Sequence, residues 1–220
     1  MSGPKKRVVR PAAAKQQRKR LSPELRRAQM MDAAAQLVLE QGYLPLPIEH
    51  LARTAGSSKA LIYTYFPTQY DLFNALLERE LNALATAGLI TASEVGDLEQ
   101  AAVLCGMVYF EHVARSGPLL QILTADLYMS GHENERLVGE CNALRERLAR
   151  LVHKTLGLPL REAHAAVEMM IAIPLESGSL VFGRETPPEV GRAMCRALLS
   201  SSLEALRSPE PLPSSKHQGS

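Results

Sequence analysis

Ser58 to Phe66 reads Ser-Lys-Ala-Leu-Ile-Tyr-Thr-Tyr-Phe, which gathers an ammonium, two aliphatic hydroxyls and two phenols within nine residues. At helical spacing Leu61 or Ile62 turns inward with Phe66, and Lys59, Ala60, Tyr63, Thr64 and Tyr65 turn outward. A short helix with that outer face makes poor core. Its donors and acceptors suit phosphate oxygens and base edges, and a helix is an element that enters a DNA major groove. Lys59 falls in the first turn, where its charge and the helix N-terminus both favour a phosphate or a guanine. Thr64 is placed to reach a phosphate or base edge, and Tyr63 and Tyr65 to lie along the sugar–phosphate backbone.

Other chemistry is not signalled. Ser177-Gly178-Ser179 does not satisfy the G-x-S-x-G nucleophile elbow, and His132-Glu133 lacks a second histidine four residues on. The six histidines are scattered, so neither an enzyme nor a metal site nor a bound cofactor is expected. Glu176, inside the apolar stretch Met169–Phe182, reads either as a carboxylate at a helix edge or dimer interface or as a contact in a ligand pocket.

The elements that must position the short helix are legible on either side. Ile48, Leu51, Ala52 and Ala55 recur at helical spacing, Gly56 supplies a stop, and Ser57 or Ser58 can cap the next helix. Upstream, Ser22-Pro23-Glu24 is a helix start that combines a capping hydroxyl, a first-turn proline and an acid at the positive dipole end. That helix is expected to run to Gln41, to bury Met30, Ala34, Leu37 and Val38, and to stop at Gly42 before the stiff Leu44-Pro45-Leu46-Pro47 connector. Downstream, Asp71–Thr86 carries one stripe of Leu72, Phe73, Leu76, Leu77, Leu81 and Leu84. A polar break at 91–97 follows, then helices near 98–115, 118–129, 133–156, 160–183 and 187–206. Pro174 is expected to kink the fourth of these.

From about Arg26 to Leu77 this pattern resembles the DNA-binding domain of the TetR family of bacterial repressors. The matching residues are Gly42-Tyr43, Leu51-Ala52-Arg53-Thr54-Ala55-Gly56 and Ser58-Lys59-Ala60-Leu61-Ile62-Tyr63-Thr64-Tyr65-Phe66. The resemblance implies an all-α protein with a three-helix head over residues 22–70 and a helical effector-binding and dimerisation region over 71–207. It implies DNA contacts by Ser58, Lys59, Ala60, Tyr63, Thr64 and Tyr65, with Ala60 small enough for the helix backbone to approach the groove. It further implies a homodimer through the last two long helices, a palindromic double-stranded operator and a small-molecule effector among the central helices. Met107, Phe110, Met129 and Met170 are expected to line that pocket, with His112, Tyr128 and Glu176 as polar groups. The same side chains at helical spacing also suit plain core.

Two positions depart from the family pattern. Pro47 stands where a Ser or Thr caps the second helix and touches phosphate, and Gln69 stands where a lysine binds phosphate. The basic N-terminus offers a replacement. Residues 1–27 hold ten Lys and Arg against Glu24 alone, a charge of +9 that leaves −7 for the rest of a chain of net +2. Residues 1–21 read as a disordered arm in which Arg18, Lys19 and Arg20 can follow the DNA backbone; a solvated tail is the alternative. Residues 208–220, rich in proline and serine, read as a disordered tail.

Composition narrows the setting. With 5% aromatics, no Trp and abundant Ala and Leu, the 220 residues favour helices over a β-sandwich. No apolar run reads as long enough to cross a bilayer, and no secretory h-region follows the basic N-terminus. Cys105, Cys141 and Cys195 are widely spaced and odd in number, which fits reduced thiols and a cytoplasmic protein. Two other readings fit the residues: a ligand-independent DNA-binding protein relying on the basic arm, and an all-α ligand-binding module with a vestigial helix-turn-helix.

Overall fold

The computed structural model describes residues 22–207, and the expected arm and tail lie outside them. Among the described residues there are ten α-helices, one short 3-10 turn and no strand. The first four are α1 (Pro23–Gln41), α2 (Ile48–Thr54), α3 (Lys59–Tyr65) and α4 (Gln69–Thr86). They are followed by α5 (Leu89–Ser93), α6 (Leu98–Ser116), α7 (Leu119–Ala125) and the 3-10 turn Leu127–Met129. The last three are α8 (Glu135–Leu156), α9 (Leu160–Phe182) and α10 (Pro188–Arg207).

Local chemistry sets the ends of the head helices. The Ser22 side chain accepts from Leu25 N with Pro23 at the first position of α1, and Gly42 closes the helix at φ +78°. Thr68 and Asp71 form a reciprocal capping box, so α4 starts at Gln69, two residues before the expected Asp71. Leu44 and Leu46 of the connector insert into the core while Pro45 and Pro47 stay exposed.

One apolar core runs through α1 to α4, with Phe73 and Leu51 wholly inaccessible. Each such side chain is worth about 1.5–3 kcal/mol over leaving it in water. This core continues past residue 70. It takes in Leu76 and Leu77 of α4 and reaches Leu119 and Leu123 of α7, Met129 and Leu137. The head is therefore packed against the α7–α8 region, and α4 is shared by both. Arg27 of α1 covers the Phe66 ring at 4.9 Å and so closes the far side of α3.

The C-terminal bundle is built on α6 and α9, with α8 and α10 packed against α9. Gly178 lets α9 approach α6 closely: a Cβ there would stand 2.7 Å from Val113 Cβ and 3.0 Å from the Phe110 carbonyl. Gly178 therefore serves a helix contact inside this chain. Leu199 and Leu203 of α10 are likewise buried in this chain's own core, whereas Leu198 is exposed.

Helix α9 corrects the expectation about membrane-length segments. It spans 23 residues with a mean hydropathy of 1.5 over its most apolar window, enough by length and composition to cross a bilayer. Glu168 and Glu176 interrupt the run in sequence, which is why it read as too short. Here the helix lies within the bundle, with Pro174 buried and the helix continuous through it.

Candidate nucleic-acid interface and effector cavity

Helices α2 and α3 meet at the turn through Gly56, whose φ of +56° is one that side-chain-bearing residues rarely adopt. Ser58 accepts from Leu61 N through its side chain and fixes the start of α3. Ser57 Oγ is buried without a hydrogen-bond partner. Ile62 and Phe66 anchor α3 in the core, and Lys59, Ala60, Tyr63 and Thr64 are exposed as expected.

Tyr65 differs. It is half-buried against the head core, as is Leu61. The Thr64 hydroxyl donates to Ala60 O at 2.9 Å, so its free lone pairs are what it offers outward. Lys59 Nζ is paired with Glu49 of α2, and that contact with the ammonium holds the Glu49 carboxyl below the usual carboxylate range. Arg18, Lys19 and Arg20 lie outside the described residues.

Both departures now have local geometry. Pro47 precedes α2 without any side-chain cap. Gln69 does not face outward for phosphate: Oε1 accepts from Leu46 N and Nε2 donates to Leu46 O, each at 2.9 Å. That pairing is invisible in sequence because it joins residues 23 positions apart.

A cavity of about 140 Å³ lies between α4, α6, α8 and α9. Leu84, Leu98, Leu148, Val152, Val167 and Ile171 make its walls, Gln121, Thr124 and Arg145 are its polar rim, and Tyr109, Cys105 and Cys141 complete the lining. Burial pushes the Cys105 thiol up to about 11, the Cys141 thiol also upward, and the Tyr109 phenol up to about 12. All three are uncharged near neutrality and add little polarity.

Of the seven residues expected in the pocket, Met170 alone lines this cavity. Phe110 and Met107 pack with Cys195 and Leu199 under α10. Met129 is buried in the head core, and Tyr128 stacks on Tyr70 with ring centroids 4.7 Å apart. Glu176 is exposed on α9. His112 is buried with Nε2 3.1 Å from Glu80 Oε2, an ion-pair distance, though off the line of a straight hydrogen bond. Burial alone would raise the Glu80 carboxyl, but the His112 contact and the Arg79 guanidinium outweigh it and hold it below the usual range. Spacing in the sequence shows which faces are apolar and not where facing helices fail to fill the space between them, so it does not locate this cavity. Among the described residues no cluster of metal-ligating side chains occurs.

A capped helix-turn-helix on a three-helix head, joined by a shared long helix to a bundle enclosing an apolar cavity, defines a two-part helix-turn-helix DNA-binding protein. Residues 30–76 match the family described as bacterial regulatory proteins, tetR family. The HTH-type transcriptional activator FasR of Mycolicibacterium smegmatis is 24% identical over 181 residues, 81% of this chain and 82% of that protein. The fold is shared with the TetR family regulator PfmR of Thermus thermophilus, at a TM-score of 0.60 and 20% identity over 84% of this chain and 98% of that one. It is shared too with the fatty acid degradation regulator FadR of Bacillus halodurans, at 0.58 and 23% over 87% and 98%. Residues 30–76 thus carry the DNA-binding domain of the TetR family, and the chain is similar over most of its length to transcriptional regulators of that type.

Proposed function

We propose that the protein is a homodimeric repressor that holds a palindromic operator and releases it when a small apolar molecule occupies the bundle cavity. The observation that carries this reading is the pairing of two sites on one continuous structure. An exposed Lys59–Tyr63–Thr64 face lies on a capped helix, an apolar cavity lies in the bundle, and α4 belongs to both. Lys59, Ala60, Tyr63 and Thr64 address the DNA, Ser58 fixes the helix start at the phosphate, and Tyr65 acts through its exposed portion. The basic arm, with Arg18, Lys19 and Arg20, supplies backbone contacts that Pro47 and Gln69 do not.

Dimerisation fits the surface of the last two helices. Met169, Leu180 and Phe182 of α9 and Val190, Met194 and Leu198 of α10 are exposed, and the last three recur every four residues along one stripe. A two-fold dimer doubles the few base pairs that one short helix reads, with recognition helices about 34–36 Å apart or a multiple of that. The cavity favours an apolar effector. Its volume is close to that of an engineered cavity of about 150 Å³ that stays dry and takes benzene, so a longer ligand must widen it or extend past the Gln121–Thr124 rim. A neighbour named for regulating fatty acid degradation agrees with an aliphatic ligand whose polar end lies near Arg145. Such a ligand acts on DNA binding only if it prefers the DNA-incompetent arrangement. Free thiols at all three cysteines and a DNA target fit a cytoplasmic protein.

The test is selection from a randomised duplex pool by the full-length protein, followed by titration of the winner at several salt concentrations. A palindrome bound far more tightly than random DNA is the expected result. Recovery of no motif, with binding that vanishes as salt rises, overturns sequence-specific regulation and leaves the arm as the source of affinity.

A further inference from the structure

The segment Asp126–Arg136, between α7 and α8, grips the head at contacts that apolar packing does not require. Asp126 Oδ2 accepts the N–H of Leu44, in the connector before α2, at 2.9 Å, while its Oδ1 accepts from Tyr128 N at 2.9 Å. Tyr70, in the first turn of α4, is sandwiched: Tyr128 stacks on it at 4.7 Å, and His132 at 3.9 Å with the rings within 4° of parallel. One turn on, Asn74 Nδ2 donates to His132 O and Asn74 Oδ1 accepts from Asn134 N, both at 2.9 Å. A further turn on, Glu78 pairs with Arg136 at 2.7 Å.

Tyr70, Asn74 and Glu78 are four residues apart, so they form one face of α4, and that whole face is held by eleven consecutive residues. The polar contacts span 58 to 82 positions of sequence, so local chain preference does not account for them. The segment is also tied at both ends to the cavity wall. Gln121 and Thr124 of α7 precede it, and Cys141 and Arg145 of α8 follow it.

We propose that Asp126–Arg136 is a strut that sets the orientation of the DNA-binding head, with Asn74 and Asp126 as its positioning residues. The proposal rests on the DNA-binding reading above. Asp126 holds the connector that leads into α2, Asn74 holds α4, the helix that follows α3, and neither side chain belongs to the surface that meets DNA. Removing either leaves the phosphate and base contacts intact and allows the head to sample other angles, so only a fraction of molecules remain competent to bind.

The experiment uses the full-length protein, Asn74→Ala, the conservative Asn74→Asp and Asp126→Asn, and the combined Asn74→Ala/Asp126→Asn. Each is titrated against the duplex selected by the unchanged protein. Affinity is expected to fall about tenfold in Asn74→Ala and in Asp126→Asn with an unchanged salt slope, because no phosphate contact is lost. The combined variant should lose less than the product of those two, since both release one segment. Asn74→Asp, which keeps the acceptor for Asn134 N and loses the donor, should fall between. Affinities within twofold of the unchanged protein in every variant overturn the proposal, as does a loss accompanied by a flatter salt slope. Hydrogen exchange on the unliganded, unchanged protein tests it without DNA or variants. Protected Leu44 and Asn134 amides are expected, and exchange there as fast as in open loops overturns the strut. If the unchanged protein selects no duplex, the DNA reading fails while the exchange result still decides whether the strut exists.

Discussion

Gln69 holds Leu46 by both of its backbone groups, accepting the N–H through Oε1 and donating to the carbonyl through Nε2, each at 2.9 Å. The first residue of α4 thereby fixes the connector that leads into α2. A side chain committed in this way is not available to phosphate, and a lysine, lacking an acceptor, could not make both bonds.

Gln69→Ala should destabilise the protein by about 2–3 kcal/mol, because Leu46 is buried and both of its polar groups would lose their partner. Urea unfolding at neutral pH measures this as a lower midpoint with an unchanged slope. A change below about 0.5 kcal/mol, the range of ordinary surface substitutions, would show that water replaces the clamp.

Lys59 and Glu49 make a second prediction. The Lys59 ammonium is paired with Glu49, and on the proposed reading it turns to phosphate when DNA binds. Lys59→Gln is expected to weaken binding to all duplexes and to lower the salt slope by about one. Glu49→Gln should do the reverse, raising affinity for random DNA more than specificity, since it removes an anion beside the polyanion. Fluorescence anisotropy with selected and random duplexes at several salt concentrations reads both. Equal slopes in all three proteins would remove Lys59 from the DNA contacts.

Legibility in the sequence followed the range of the interaction. Ser22, Gly42, Gly56 and Ser58 act within four residues of themselves, and each does what its type and position foretold. The buried stripe of α4 was readable for the same reason, since a 3.6-residue period is written in order along the chain. Periodicity and the family resemblance both turn Tyr65 outward, but the head core covers part of its ring beside the buried Ile62 and Phe66. The Gln69–Leu46 clamp, the Asp126–Leu44 bond and the Glu80–His112 pair depend on which distant segments meet, and no spacing signals them. The cavity was least legible of all, being a gap that Leu148 and Val167 fail to fill rather than a property of either residue.

Glu80, buried at the contact of α4 with α6, gives a prediction about acid stability. Its carboxyl is held below the usual range, so the folded state favours the ionised form more than the unfolded chain does. The resulting stabilisation is fully present above the ordinary glutamate value of about 4.3 and is lost as pH falls through the lowered one. Unfolding free energy should therefore drop below about pH 4 by more in the unchanged protein than in Glu80→Gln, whose curve should be flatter there. Parallel curves would mean that Glu80 contributes nothing to acid sensitivity. The same carboxylate accepts from Arg79 Nε at 3.1 Å, and Arg79 Nη1 reaches Asp32 of α1 at 2.7 Å. Glu80→Gln is thus also expected to loosen the tie between α4 and α1.

The exposed stripe on α10 yields the prediction that most directly separates a dimer from a monomer. Val190, Met194 and Leu198 are each more than two-fifths exposed and lie on one face, next to exposed Leu180 and Phe182 of α9. Their buried neighbours Gly191, Cys195 and Leu199, about 100° further round the helix, already face α6 and α9. A charge at Met194 therefore meets water in a monomer, where it should cost little, and meets a partner's apolar surface in a dimer, where an unpaired ion is strongly unfavourable. Met194→Glu should leave helical content and the unfolding midpoint of dilute protein near their original values while shifting sedimentation from dimer to monomer at micromolar concentration. Binding to a palindromic duplex should then fall much more than binding to a half-site, because the second head is no longer tethered to the first. A variant that still sediments as a dimer would locate the interface elsewhere on the bundle, and one that unfolds would show that Met194 serves this chain's own core.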